Sequence, residues 1–349
     1  MKGNFVFRLD AGINTGFGHL SRCLSLAEEL LNHASVTLIV KSDSKLRVEN
    51  FIQENSIATL KTDLNFLSLN DNWETEMKIL NQKVVKEKGF LILDHYKVNE
   101  TYQLTIKDLG IKWLQFDSHA NQKFYGNIVL HASPGADTEK YTSLAGNADV
   151  KFLLGPEYAI INKKFSDKRK RVKAREKLNK IFVCFGGGDD GGVTYNCLRL
   201  INKKLFDSLF FHVFINTENQ YLNAIRLLSS KHKNIKIHIN TSSTEDIMAN
   251  CDAALIAPGT LSYESSCLGL PMILITLADN QNINAIGWES IGAGINLGEK
   301  NNFSKEKLNT AIELLINDPD QLWSMSNNCL SAVDGFGAMR VTKEIISIA

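Results

Sequence analysis

Residues 7–30, F-R-L-D-A-G-I-N-T-G-F-G-H-L-S-R-C-L-S-L-A-E-E-L, divide into three parts. Phe5 to Leu9 is a short apolar run suited to a buried parallel strand, and Gly12, Gly16 and Gly18 make a flexible turn. Leu20 to Leu30 then repeats its apolar residues at helical spacing. Such a strand, glycine loop and helix bring backbone N–H groups and the positive end of a helix to the carboxyl edge of a sheet. Anionic or phosphorylated ligands bind there. His19 stands where the helix begins. On one reading it is a polar cap or a packing residue. On the other it is a general base, because the dipole disfavours the imidazolium and leaves a nitrogen lone pair to take a proton. Leu20 and Ser21 follow His19 with no third glycine, so the spacing is not the dinucleotide-binding G-x-G-x-x-G.

Strand-like and helix-like segments continue to alternate outward from this unit. Strands are expected at Ser35–Val40, Gly89–Leu93, Lys112–Phe116 and Lys151–Leu154, with helices at Leu46–Asn55, Glu74–Lys88 and Glu100–Leu109. Two of these strands end in polar groups, Asp94-His95-Tyr96 and Asp117-Ser118-His119, where an open α/β sheet places its site. Helix capping is the plainer account of either aspartate. Tyr141 to Asp149 reads as irregular. Between Phe165 and Leu178 the composition turns basic, S-D-K-R-K-R-V-K-A-R-E-K-L, which marks a domain boundary and reads as a solvated linker or helix face rather than as a phosphate contact.

The second half restarts with a strand at Lys180–Phe185, the loop Gly186-Gly187-Gly188-Asp189-Asp190-Gly191-Gly192, and a helix from Thr194. Strands follow at Leu209–Ile215, Ile235–Ile239, Asp252–Ile256 and Pro271–Ile275, and helices at Leu261–Leu268, Asn282–Ile291, Lys305–Asn317 and Gln321–Asn328. The expected fold is therefore α/β, two doubly wound Rossmann-like domains facing each other across a cleft. The expected bounds are 1–165, 166–334 and a C-terminal helix, 335–349, that packs back on the first domain.

A chain of 349 residues exceeds one ordinary core, which supports two domains. The formal net charge of +1 gives no reason to expect nucleic acid as a partner. Six dispersed cysteines form no C-x-x-C and no histidine cluster, so reduced core thiols in a cytoplasmic protein are expected. No apolar run reaches the ~18 residues needed to cross a bilayer, so stable membrane insertion is not expected. Nothing calls for a cofactor, and a monomer is the expected state.

Gly259-Thr260 at a helix start, with Glu264 one turn on, makes a nucleotide-diphosphate site. The loop amides and the Thr260 hydroxyl can hold phosphate, and a carboxylate at 264 can accept both hydroxyls of a ribose. Gly186 and Gly187 let backbone approach the same ligand. No G-x-x-x-x-G-K-[ST] occurs, which argues against a kinase or ATPase, and no Asp-x-Asp pair sits at a diphosphate site, so no metal is expected.

Taken in order, R-L-D-A-G-I-N-T-G-F-G-H-L-S-R-C-L-S-L-A, L-D-H-Y, L-L-G-P-E-Y-A-I-I, F-G-G-G-D-D, A-P-G-T-L-S-Y-E-S-S-C-L-G-L-P, L-A-D-N-Q and D-G-F-G-A-M-R-V span nearly the whole chain. This series resembles the UDP-sugar hydrolases of pseudaminic acid synthesis, which are similar to glycosyltransferases of the two-domain GT-B fold. The resemblance implies metal-independent hydrolysis, with water attacking the anomeric carbon and UDP leaving. His19 would be the base, and Tyr96 and Asn280 would face the reacting sugar. Gly259, Thr260 and Glu264 would hold UDP, with Gln281 close to the substrate, and Arg8, Asp10, Gly16, Gly18 and Asp94 would complete the substrate contacts. The chain departs from the family in having Asp117-Ser118 where a paired Asp-Asp is usual, and Gly259-Thr260-Leu261 in place of a Gly-Ser-Thr loop. Two other functions fit the same scaffold: a glycosyltransferase that activates an acceptor hydroxyl through His19, and a nucleotide-sugar-binding module without catalysis.

Overall fold

The structure is a computed structural model that describes residues 3–12, 15–55, 63–186, 190–201, 203–241 and 243–349. The chain divides into two compact units. The first comprises 1–132, 136–162 and 336–349, and the second 133–135 and 163–335.

The first unit is built on seven parallel strands: β1 (Asn4–Asp10), β2 (Ser35–Lys41), β3 (Asp63–Leu67), β4 (Phe90–Asp94), β5 (Trp113–Phe116), β6 (Ile128–His131) and β7 (Lys151–Leu154). They lie in the order β3-β2-β1-β4-β5-β6-β7, the reversal beside β1 being the doubly wound pattern. Side chains alternate across β1 and give the sheet two apolar faces. Phe5, Phe7 and Leu9 pack with Leu20, Leu24 and Ala27 of the helix Gly18–Leu30 and with Val341 and Ile345 of the C-terminal helix Gly337–Ile348. Val6 packs on the other side with Leu91, Leu93, Tyr102 and Ile106. A sheet covered on both faces needs strands that are apolar throughout, which is why β1, β2 and β4 read as nearly continuous hydrophobic runs.

The helix expected over 74–88 ends early. It runs Trp73–Leu80 and then widens into a π turn, Asn81–Val85, closed by the Lys86 N–H on the Asn81 carbonyl at 3.2 Å. The widening keeps both Leu80 and Val84 buried and delivers Gly89 against the Asn4 carbonyl, a site where a Cβ would sit 2.6 Å from oxygen.

The second unit holds β8 (Lys180–Cys184), β9 (Phe210–Ile215), β10 (Ile235–Ile239), β11 (Ala253–Ile256), β12 (Met272–Thr276) and β13 (Gly294–Glu299). All are parallel, in the order β10-β9-β8-β11-β12-β13. The basic run 166–178 begins on the helix Lys163–Arg169 and is anchored by two of its arginines. Phe165 is buried, Arg169 donates to the carbonyls of Cys267 (2.9 Å) and Leu330 (2.6 Å), and Arg175 donates to those of Cys251 (2.8 Å) and Ala249 (3.0 Å). Three of these four carbonyls, those of Ala249, Cys267 and Leu330, lie in the last turn of a helix, where backbone donors run out.

Candidate active site

In the first unit the loop after β1 closes on itself before the helix begins. Gly12 and Gly16 exchange backbone hydrogen bonds of 3.2 and 2.8 Å, and Gly16 adopts φ +77°, a conformation that favours glycine. The helix then starts at Gly18, with His19 in its first turn and only 7% exposed. Neighbouring strands bring Asp94 to the same edge, since Leu9 of β1 pairs with Asp94 of β4. His19 Nδ1 lies 2.6 Å from Asp94 Oδ1.

Asp94 is the centre of a dense set of donors. Arg22 gives it Nε at 2.6 Å and Nη2 at 2.5 Å, and the Cys23 thiol lies 3.3 Å from Oδ2. Burial works against charge on Asp94, but the Arg22 guanidinium and His19 outweigh it and hold the carboxyl well below the usual carboxylate range. A carboxylate only accepts, so His19 Nδ1 must carry the hydrogen between them. In the neutral imidazole that leaves Nε2 bare, with a lone pair for a proton. Tyr96, more than half exposed, meets the His19 ring edge-on at 4.8 Å between centroids. Arg22 also lies over the Phe116 ring at 4.5 Å.

Arg8 does not take the place expected of it among the substrate contacts. Its guanidinium is turned inward, 1% exposed, donating to Asp10 Oδ1 (2.6 Å), to the Leu9 carbonyl (2.8 Å) and to Glu76 Oε2 (3.1 Å). Tyr102 donates to the other Glu76 oxygen at 2.7 Å. A cation held in this way by Asp10, the Leu9 carbonyl and Glu76 fixes Asp10 at the strand end. Neighbouring His95 is likewise interior. Burial, then the Arg8 charge, keeps it neutral, and its Nδ1 accepts from the Lys97 N–H at 3.3 Å.

In the second unit, β11 leads through Pro258 to Gly259, and the helix Thr260–Cys267 begins at once. The Gly259 carbonyl is tied to the Ser262 hydroxyl at 2.7 Å, and that oxygen accepts from the Trp288 indole at 2.9 Å, which fixes the loop from behind. A Cβ on Gly259 would meet nothing nearer than Gln281 Nε2, at 3.9 Å. The space over the loop is open to a ligand. Gln281 is oriented by accepting the Leu277 N–H at 2.8 Å, and Asn280 precedes it in the short turn Asp279–Gln281. A Cβ on Gly186, at φ +105°, would meet nothing within 4 Å. Gly187 lies outside the described residues. Asp190 is a capping residue, accepting from the N–H groups of Gly192 and Thr194, both at 2.9 Å, and from Asn219 at 3.0 Å.

Glu264 is buried one turn into the helix. Burial, reinforced by the charge of Glu245, pushes its carboxyl up to about 8. The group expected to receive ribose hydroxyls is therefore protonated at neutral pH before any ligand arrives.

Arg22 was not among the residues singled out from sequence, although it follows His19 by three positions on one helix face, a spacing that makes neighbours. His131 and Tyr141 were also passed over. They meet Asp117 at the end of β5, with the Tyr141 hydroxyl 2.5 Å from Asp117 Oδ2 and 2.8 Å from His131 Nδ1.

Comparison with known proteins bears on the whole chain. A family model described as Lipid-A-disaccharide synthetase matches residues 161–279, and one described as UDP-glucoronosyl and UDP-glucosyl transferase matches 254–328. An uncharacterized protein of Methanocaldococcus jannaschii is 27% identical over 76% of this chain, which spans only 54% of that relative's length. The spore coat polysaccharide biosynthesis protein SpsG of Bacillus subtilis is 23% identical over 95% of both chains. The UDP-2,4-diacetamido-2,4,6-trideoxy-beta-L-altropyranose hydrolase of Campylobacter jejuni is 24% identical over 80% of this chain and 94% of its own. Among solved structures, Acinetobacter baumannii MurG superposes with a TM-score of 0.66 at 16% identity, covering 99% of this chain and 100% of that one. A Staphylococcus aureus MnaA complex with UDP gives 0.70 at 13% identity, covering 99% and 96%. The chain thus has the GT-B glycosyltransferase fold, with a sequence similar along most of its length to that of a UDP-sugar hydrolase.

Proposed function

We propose that this protein hydrolyses a UDP-linked 2,4-diacetamido-2,4,6-trideoxyhexose to the free sugar and UDP, in pseudaminic acid synthesis. The observation that carries the reading is the His19–Asp94 pair. Asp94 Oδ1 accepts from His19 Nδ1 across 2.6 Å, so Nε2 is the basic atom at a sheet edge suited to an anionic ligand. The similarity to the Campylobacter jejuni hydrolase supports the substrate class.

The step balances with this chain's residues alone. His19 Nε2 takes a proton from water as its oxygen bonds to the anomeric carbon. The bond from that carbon to the diphosphate oxygen breaks, its electron pair leaving with UDP, and configuration inverts. Tyr96 and Asn280 face the sugar, while the Gly259 loop, Thr260 and Gln281 hold the nucleotide. Glu264 takes the ribose hydroxyls. UDP is a good leaving group, so N–H donors at the start of the helix Thr260–Cys267 suffice to receive its charge without a metal. Turnover is expected to survive EDTA; loss on chelation, restored by magnesium or manganese, would contradict the metal-free step.

Incubation with a panel of UDP-sugars and no acceptor tests the reading directly, with release of free UDP and free sugar as the expected result. The transferase matches over 161–279 and 254–328 favour a second reading, in which His19 activates an acceptor hydroxyl. UDP release that requires an added acceptor alcohol would replace the first reading with the second.

A further inference from the structure

The hydrolytic step leaves a second polar cluster at the carboxyl edge of the first unit's sheet unused. Strand β6 ends in His131 beside β5, where Phe116 pairs with Leu130 and the next residue, Asp117, donates its N–H to the Leu130 carbonyl at 3.0 Å. Tyr141, on the short helix Thr138–Ser143, places its hydroxyl between the two, 2.5 Å from Asp117 Oδ2 and 2.8 Å from His131 Nδ1. Asp117 Oδ2 also accepts the N–H groups of His119 (2.9 Å) and Ala120 (2.8 Å). Tyr141 is 1% exposed and stacked on Phe124, so its hydroxyl is held in place.

The order of protons in this chain is fixed by what each group can give. The Asp117 carboxylate only accepts, so the Tyr141 hydroxyl donates to it. The phenolic oxygen then accepts, and His131 Nδ1 is the donor. Burial first, with Arg22 adding to it and Asp117 opposing, pushes the His131 imidazole down to about 4, so the ring is neutral at physiological pH. In the neutral ring Nε2 is then the acceptor. The strand order β1-β4-β5-β6 puts His131 at the same carboxyl edge as the His19–Asp94 pair.

We infer that His131 determines sugar specificity: through Nε2, fixed as an acceptor by Tyr141 and Asp117, it receives the N–H of an acetamido group on the sugar. The inference rests on the UDP-sugar reading above. An amide N–H only donates, so a fixed acceptor complements it.

Two measurements separate this inference from the reading beneath it. The first is hydrolysis of a UDP-2,4-diacetamido-2,4,6-trideoxyhexose by the wild type, Tyr141→Phe and His131→Ala. Each variant is expected to lose ~10–100-fold in kcat/KM, mainly through KM, with the Kd for UDP unchanged. Tyr141→Phe keeps the buried ring, and a thermal melt of each variant beside the kinetics separates lost binding from a folding defect. Active wild type with both variants unimpaired would overturn the role of His131 and leave hydrolysis standing. The second is 15N NMR of histidine-labelled protein, which needs no turnover. His131 is expected to show the Nδ1–H tautomer, with Nε2 shifting when the UDP-diacetamido sugar is added and staying fixed with UDP alone. An Nε2–H tautomer, or an Nε2 signal indifferent to the sugar, overturns the inference even if hydrolysis itself fails.

Discussion

Asp94 in the first unit and Glu264 in the second are both buried carboxyl groups close to a glycine-led helix start, and their environments drive them to opposite charge states. Asp94 faces the Arg22 guanidinium and the His19 ring, which stabilise its anion against burial. Glu264 has burial and the charge of Glu245 against it, and its carboxyl is pushed up to about 8. Partners therefore decide where depth does not. One carboxyl is a permanent charge that fixes a tautomer; the other is neutral until ligand hydroxyls approach. The proposed chemistry belongs with the first, and the proposed nucleotide recognition with the second.

The largest effect expected concerns the atom that Asp94 serves. His19→Ala should lower kcat by about 10²–10⁴-fold, the usual contribution of a general base, with UDP affinity nearly unchanged. Steady-state kinetics beside a UDP titration reads both. A lower melting temperature with turnover per folded molecule intact would make His19 a packing residue and remove the catalytic side of the comparison.

Asp94→Asn is the next test. The amide cannot neutralise Arg22, and the cost of leaving one member of a buried ion pair is about 3–5 kcal/mol, with the lower end expected because Arg22 is partly exposed. Urea unfolding measures it. A stability loss below about 1 kcal/mol would mean that Asp94 is not the fixed anion described above.

In the second unit the expected effect is smaller and falls on binding. Glu264→Ala should weaken UDP by about 0.5–1.5 kcal/mol, the range for a neutral hydrogen bond, and by up to about 3 kcal/mol, the range for a charged group, if UDP binding ionises the carboxyl. Glu264→Gln separates the two charge states: an equally weakened Gln variant requires that UDP binding ionise Glu264. Calorimetry in two buffers of different protonation enthalpy would then show a proton released on binding at pH 7. Unchanged UDP affinity in the Ala variant takes Glu264 out of the nucleotide site.

The same contrast explains what could be read from sequence. Apolar strands buried on two sheet faces, such as Phe5–Leu9 and Pro271–Ile275, announce themselves by composition, and the parallel order follows from their alternation with helices. Ile128–His131 is not among the strands expected from sequence, although the equally short β5, β7 and β11 are, and with it goes His131. Strands β3 and β13 escape a reading by composition because Asp63–Leu67 and Gly294–Glu299 are only partly buried and carry polar or glycine residues. His19 and Glu264 could be picked out because each sits at a fixed distance from a glycine turn. The inward aim of Arg8 could not, because it depends on Glu76, 68 residues away in sequence. The raised carboxyl of Glu264 depends on burial and on Glu245, neither visible in a local motif.

Opposite charge states also predict opposite responses of stability to pH. The folded Asp94 carboxyl lies below its ordinary value of 3.8, so its contribution is present above that pH and is lost only in stronger acid. For Glu264 the folded value, about 8, lies above the ordinary 4.5, and between these two pH values the folded chain holds a proton that the unfolded chain has released. Its contribution is complete below pH 4.5 and falls as pH rises toward 8, by at most about 1.4 kcal/mol per pH unit. Chemical denaturation from pH 5 to 8 should therefore show a decline in the wild type that Glu264→Gln reduces, since the amide has no proton to lose. UDP should reduce it too, if ribose hydroxyls replace the proton as the partner of the carboxylate. Parallel wild-type and Gln curves would mean that Glu264 is ionised in the free protein, and the contrast with Asp94 would then collapse to two anions with different neighbours.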